Sequence, residues 1–187
     1  MPGAEKQMRA FIAVKIPDGI KDNIAGLASG LEDKNIRLVG KEQFHITLFF
    51  FDSISAENIL AIGKLLENLE IKSFPISLRG VGVFTPEKPH VLFVEIDDNG
   101  MLSSIHDGLK WGIANLGLNI EDRAFAPHLT IARVKDTNEE TISKVKKFVD
   151  ENNGKDFGSF ACDCIKLIKS TLTSEGPLYE ELFSKSF

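Results

Sequence analysis

Two stretches decide the reading: Phe44-His45-Ile46-Thr47-Leu48-Phe49-Phe50-Phe51 and Pro127-His128-Leu129-Thr130-Ile131-Ala132-Arg133-Val134. Side chains along a strand point to opposite faces in turn, so His45 and Thr47 share one face and Ile46 and Leu48 the other. His128 and Thr130 repeat this, with Leu129 and Ile131 opposite. The stretches lie 128 − 45 = 83 residues apart, and the spacing reaches beyond them. When Phe44–Phe74 is set against Pro127–Phe157, seven of 31 pairs are identical without a gap. They are His45/His128, Thr47/Thr130, Glu57/Glu140, Ile59/Ile142, Lys64/Lys147, Lys72/Lys155 and Phe74/Phe157. The same shift lays a strand at Met8 over one at Val91, and a helix at Gly19–Glu32 over Leu102–Asn115. A repeat at fixed spacing marks one structural unit used twice.

The predicted elements surround these two strands. Strands are expected at Met8–Ile16, Ile36–Val39, Phe44–Phe51, Phe74–Phe84, Val91–Ile96, His128–Val134, Phe157–Ile168 and Leu178–Phe183. Helices are expected at Asp18–Asp33, Ser55–Leu69, Leu102–Leu118 and Asn138–Asn152. The fold class is α+β: a bilobal, pseudo-two-fold duplicated unit, with antiparallel sheets facing a central cleft and helices outside. Residues 8–187 form one domain, and Met1–Gln7, polar and patternless, form a frayed tail.

Composition sets further limits. With 22 basic and 27 acidic residues the net charge is −5, which argues against coating nucleic acid by bulk electrostatics but not against gripping one phosphate. No apolar run approaches the roughly 20 residues of a membrane span. The apolar part of Phe11–Val14 is too short for a signal peptide and is interrupted by Lys15. Cys162 and Cys164 read as free, inert thiols of a cytoplasmic protein. They lack the second ligand pair that a zinc site needs. No heptad seam marks an oligomer, and a monomer is expected.

If the lobes face one another, two His–Thr pairs converge across the cleft. Imidazole titrates near neutrality, so one ring can accept a proton from water while the other gives one to a leaving oxygen. Thr47 and Thr130 hydroxyls can donate hydrogen bonds to phosphoryl oxygens between the rings. Four His and seven Thr make about 0.15 H-x-T expected by chance, so two at equivalent repeat positions carry weight. Pseudo-symmetry does not rank the two rings.

The motifs His45-Ile46-Thr47-Leu48 and His128-Leu129-Thr130-Ile131 resemble those of the two-histidine phosphoesterases, most closely the RNA 2′,3′-cyclic phosphodiesterases, historically called 2′-5′ RNA ligases. The opening Met8-Arg9-Ala10-Phe11-Ile12-Ala13-Val14 is similar to that family's start. Gly82-Val83-Phe84 with Pro89, Pro127–Arg133, and Ser170-x-Leu172 with Gly176 and Tyr179 resemble its other motifs. His90 and Phe93 depart from it, standing where the family commonly has a basic residue and often a Trp. The resemblance implies hydrolysis of a terminal RNA 2′,3′-cyclic phosphate to a 2′-phosphate, without metal or cofactor. It implies His45 as proton donor to the departing 3′ oxygen and His128 as proton acceptor from water. The partners would be RNA 3′ ends bearing the cyclic phosphate, or cyclic nucleotides. Ligation of RNA ends and non-catalytic binding of a nucleotide or RNA end are the competing readings.

Two residues are open at this stage. Arg133 suits a phosphate, but strict alternation puts it on the face opposite His128 unless the strand ends or bulges near Ala132. Phe84 serves either as a stacking platform for a base or as core. His90 is a candidate cleft residue. His106 reads as a surface residue of its helix, and Lys144-x-Lys146-Lys147 as a solvated helix face.

Overall fold

The computed structural model describes residues 7–118, 124–174 and 176–187. The expected tail thus lies outside the described residues except for Gln7, whose Oε1 accepts from Ser53 Oγ at 3.1 Å. Nine strands and four helices follow in the order β1 (Met8–Lys15), α1 (Asp18–Ala28), β2 (Ile36–Leu38), β3 (His45–Ile54), α2 (Ala56–Glu67), β4 (Phe74–Phe84), β5 (Val91–Asp97), α3 (Met101–Asn115), β6 (His128–Val134), α4 (Glu139–Glu151), β7 (Asp156–Cys162), β8 (Cys164–Thr173) and β9 (Gly176–Ser186) among the described residues.

All the strands pair antiparallel, in two sheets ordered β3-β1-β8-β9 and β2-β6-β5-β4-β7. The fold is therefore α+β, and the sheets meet where β3 lies against β6. The halves are not simply the two halves of the chain. β4 leaves the first repeat and pairs with β5 of the second, while β8 returns to pair with β1. By sheet position β4 corresponds to β8, and β7 to β9. The identity of Phe74 with Phe157 thus relates β4 to β7, which are paired neighbours and not equivalent strands.

The 83-residue shift holds best for β3-α2 against β6-α4. Ser55 caps α2 by accepting from Asn58 N at 3.2 Å, and Asn138 caps α4 by accepting from Thr141 N at 2.9 Å. Such a cap satisfies one of the free N–H groups of a first helical turn. For β1 against β5 the structural shift is 80, because Lys15 faces His45 while Glu95 faces His128. The turn Asp98-Asn99-Gly100, with Asn99 and Gly100 at positive φ, supplies the three extra residues before α3.

Ile12 and Val14 of β1, Ile46 and Leu48 of β3, Leu92 and Val94 of β5, and Leu129 and Ile131 of β6 are all buried. They pack in one cluster with Ile20 and Ile24 of α1, Ile62 and Leu66 of α2, Leu102 and Ile113 of α3, and Val145 of α4. Burying each such side chain contributes about 1.5–3 kcal/mol. Two expected elements are interrupted. The first helix passes into a 3-10 turn at Ser29–Leu31, around Ser29-Gly30. The expected strand Phe157–Ile168 breaks at Asp163, where the chain crosses from one sheet to the other, and the Asp163 carbonyl accepts from Phe187 N at 2.9 Å.

Candidate active site

His45 and Thr47 open β3, and His128 and Thr130 open β6; all four are half-buried, while the alternating Ile46, Leu48, Leu129 and Ile131 are buried. Both strands then break the alternation at the same repeat position. In β3 the register jumps from Ala13↔Thr47 to Ile12↔Phe49, leaving Leu48 unpaired in the count. In β6 it jumps from Phe93↔Thr130 to Leu92↔Ala132, leaving Ile131. Such a bulge reverses which residues share a face. Phe50 and Arg133, themselves 83 apart, therefore join the His–Thr face and are exposed on it. The bulge at Ile131–Ala132 is the condition under which Arg133 could reach the cleft.

The imidazoles are held alike. His45 Nδ1 lies 2.6 Å from the Gln43 carbonyl, and His128 Nδ1 lies 2.8 Å from the Ala126 carbonyl. A carbonyl only accepts, so in each ring Nδ1 carries the hydrogen and donates it. Nε2 is then the nitrogen free to exchange a proton in both rings.

Their surroundings differ. His45 stacks on Phe11, with centroids 4.5 Å apart, and meets the edge of Tyr179 at 5.6 Å. Burial there pushes its pKa down to about 4; the Gln43 carbonyl opposes this, and the charge of His128 adds to it. The strands that carry the two rings, β3 and β6, lie against each other where the sheets meet. His128 meets Phe84 at 4.9 Å and Phe93 at 5.5 Å, and those two phenyl rings lie 4.4 Å apart. Phe84 is therefore beside His128 with its ring partly exposed, not in the core.

The cross-strand neighbours invert in charge: Lys15 faces His45, and Glu95 faces His128. Lys15 and Lys166 both hold Glu181, at 3.3 and 2.7 Å. Glu95 lies over Gly80 and Gly82, its oxygens 3.2 Å from where a Cβ would stand on each. A Cβ on Gly82 would also meet the Phe93 ring at 2.8 Å, so glycine is required for that close approach. Beside His45 a cavity of about 230 Å³ is lined by Lys15, Lys21, Glu42, Phe44, Tyr179 and Glu181, among others.

The family model described as the 2′-5′ RNA ligase superfamily matches residues 16–173. The chain belongs to this superfamily. It is 37% identical over 176 residues to the RNA 2′,3′-cyclic phosphodiesterase of Methanocaldococcus jannaschii, covering 92% of this chain and 97% of that protein. It is 31% identical over 177 residues to the one from Archaeoglobus fulgidus, covering 94% and 98%. Among solved structures it resembles TT0787 of Thermus thermophilus, at 27% identity and a TM-score of 0.78, covering 96% and 97%. The fold also matches Escherichia coli LigT complexed with 3′-AMP, at 21% identity and a TM-score of 0.81, covering 97% and 99%.

Within this superfamily member the remaining sequence-derived residues fall in varied places. His106, expected at the surface, is buried. It is sandwiched between Phe49 and Phe125 at 4.3 and 4.4 Å, nearly parallel to both, with Nδ1 3.2 Å from the exposed Asp107 carboxylate. The reason is that α3 buries a broad stripe, Leu102, Ile105, His106, Leu109 and Ile113, against the back of β3. His90 is exposed, and its carbonyl holds the end of β6 by accepting from Val134 N at 2.9 Å. Lys144 is not simply solvated: its Nζ donates to the Glu32 carbonyl at 2.7 Å and meets Asp33 at 3.2 Å, tying α4 to the chain after α1. Cys162 is buried, which pushes its thiol up to about 11, the range of an inert thiol. The residues flanking His45, Phe11 and Tyr179, were not singled out as site residues by the sequence. They come from β1 and β9, and only the sheet order brings them together.

Proposed function

We propose that this protein is an RNA 2′,3′-cyclic phosphodiesterase, hydrolysing the terminal cyclic phosphate to a 2′-phosphate by acid–base catalysis between His45 and His128. One observation supports the reading: both rings spend Nδ1 on the carbonyl two residues back, which leaves Nε2 free in each, and each His is followed two residues on by a half-buried Thr of the same strand. In the reaction, water attacks phosphorus and gives a proton to one Nε2, while the P–O3′ bond breaks and O3′ takes a proton from the other. Thr47, Thr130 and Arg133 bind the phosphoryl oxygens, and Phe84 offers a face to the base.

Following the resemblance, His128 is the base and His45 the acid. His45 is neutral near pH 7 in the free protein, since its pKa is pushed down to about 4. The acid form then arises only when the anionic phosphate sits between the rings and stabilises the imidazolium. The burial of His45 equally favours exchanged roles, with His45 taking the proton from water.

Both histidines come from one chain, which suits a monomer, and two free cysteines suit the reducing cytoplasm. The test is turnover of an RNA end bearing a 2′,3′-cyclic phosphate, with and without EDTA. Activity should survive EDTA and fall by about 10²–10⁴ in His45→Ala and in His128→Ala. Unchanged turnover in either variant overturns the mechanism.

A further inference from the structure

The two repeats differ at the position just past the bulge, where one has Arg133 and the other Phe50. The first lobe recovers a cation from the neighbouring strand: the Arg9 guanidinium lies over the Phe50 ring, 5.1 Å from its centroid. The line of rings continues from Phe50 to Phe11 at 6.5 Å and from Phe11 to His45 at 4.5 Å. The register sets Arg9 across from Ser170 and Ser170 across from Tyr179, and the charges of Arg133 and Arg9 both pull the Tyr179 phenol partly back from the rise that burial causes. Among the described residues Arg9 is not consumed by structural bonds: its Nε is buried with no acceptor, and its ion pair there is a single 3.3 Å contact from Nη2 to Asp52, itself 83% exposed. A buried donor left unpaired on a charged group is destabilising, and an exposed pair of this kind contributes little. The ring beneath it, more than any carboxylate, orients this guanidinium.

We infer that Arg9, seated on Phe50 beside Tyr179, is a second anion subsite, binding the phosphate on the 5′ side of the terminal nucleotide while the terminal phosphate lies between His45 and His128. The inference rests on the proposed phosphodiesterase reading. It assigns the ligand as the next phosphodiester of the RNA chain, so recognition spans two phosphates, with Arg133 serving the terminal one. Guanidinium is suited to this because its planar donors match phosphate oxygens while its face stays on the aromatic ring.

The experiment is equilibrium binding by calorimetry to the full chain, wild type, Arg9→Gln and Arg9→Lys. The probes are adenosine 2′-phosphate, adenosine 2′,5′-bisphosphate, and the dinucleotide ApA carrying a terminal 2′-phosphate. In the wild type both two-phosphate probes should bind about tenfold more tightly than the monophosphate, the gain expected of one charge-assisted contact. That advantage should vanish in Arg9→Gln and be partly kept in Arg9→Lys. Equal affinity of all three probes for the wild type, or an advantage that persists in Arg9→Gln, overturns the subsite alone. An advantage confined to the bisphosphate overturns its assignment to the RNA chain. Failure of the wild type to bind any probe overturns the phosphodiesterase reading together with the subsite.

Discussion

In the proposed mechanism most of the chemistry turns on His45, whose stacking on Phe11 and proton affinity are linked. Its folded pKa, about 4, lies below the ordinary value near 6.5. The folded state therefore binds fewer protons than the unfolded chain between those values. The stability this represents is fully present above pH 6.5 and is lost as pH falls towards 4. It amounts to on the order of 3 kcal/mol at most. Urea unfolding at pH 7.5 and at pH 4.5 should show this loss in the wild type and a smaller one in His45→Gln; equal losses would contradict the burial argument. The role of the ring is separable by leaving-group chemistry. A cyclic substrate whose 3′ oxygen is replaced by sulfur releases a thiolate, which needs no protonation. If His45 is the acid, His45→Ala should regain most of its lost rate on that substrate, and His128→Ala should not. The opposite pattern assigns the roles the other way.

At the scale of elements, the two caps and the two bulges are the duplicated parts that hold the histidines in place. Ser55→Ala and Asn138→Ala should each destabilise the protein by about 1 kcal/mol in denaturant unfolding, and no loss in either would remove the matched-cap argument. The helices and the repeat around them were legible because they are local, at fixed offsets from His45 and His128. The bulges were not. Leu48 and Ile131 look like ordinary members of an apolar face, and only the pairing with β1 and β5 shows that they are extra. The sequence could therefore state what Arg133 required but not whether it was met. His106 was misread for a related reason: one side of a helix is assigned by its strongest apolar stripe, and a ring stacked between Phe49 and Phe125 has no signature at that spacing.

For the whole molecule, sheet order shows what sequence halves concealed. β8 lies between β1 and β9, so the C-terminal hairpin completes the sheet begun by the first strand and brings Tyr179 against His45. A chain ending at Asp163 should consequently fail to unfold cooperatively in denaturant, since β1 would lose one of its two neighbours. The net charge of −5 has a second consequence. With two phosphates engaged, the slope of log affinity against log salt should be about −1.4 for a single strand and should not steepen with RNA length. A slope that grows with each added nucleotide would describe a protein that tracks the backbone.

The central claim is that one imidazole must be charged while the other is neutral. The most direct measurement is the pH dependence of kcat/KM on a 2′,3′-cyclic substrate between roughly pH 3.5 and 9. The account predicts a bell; with His45 as the acid, its alkaline limb disappears in His45→Gln while an acid limb set by the base His128 remains. A flat profile across that range would contradict it.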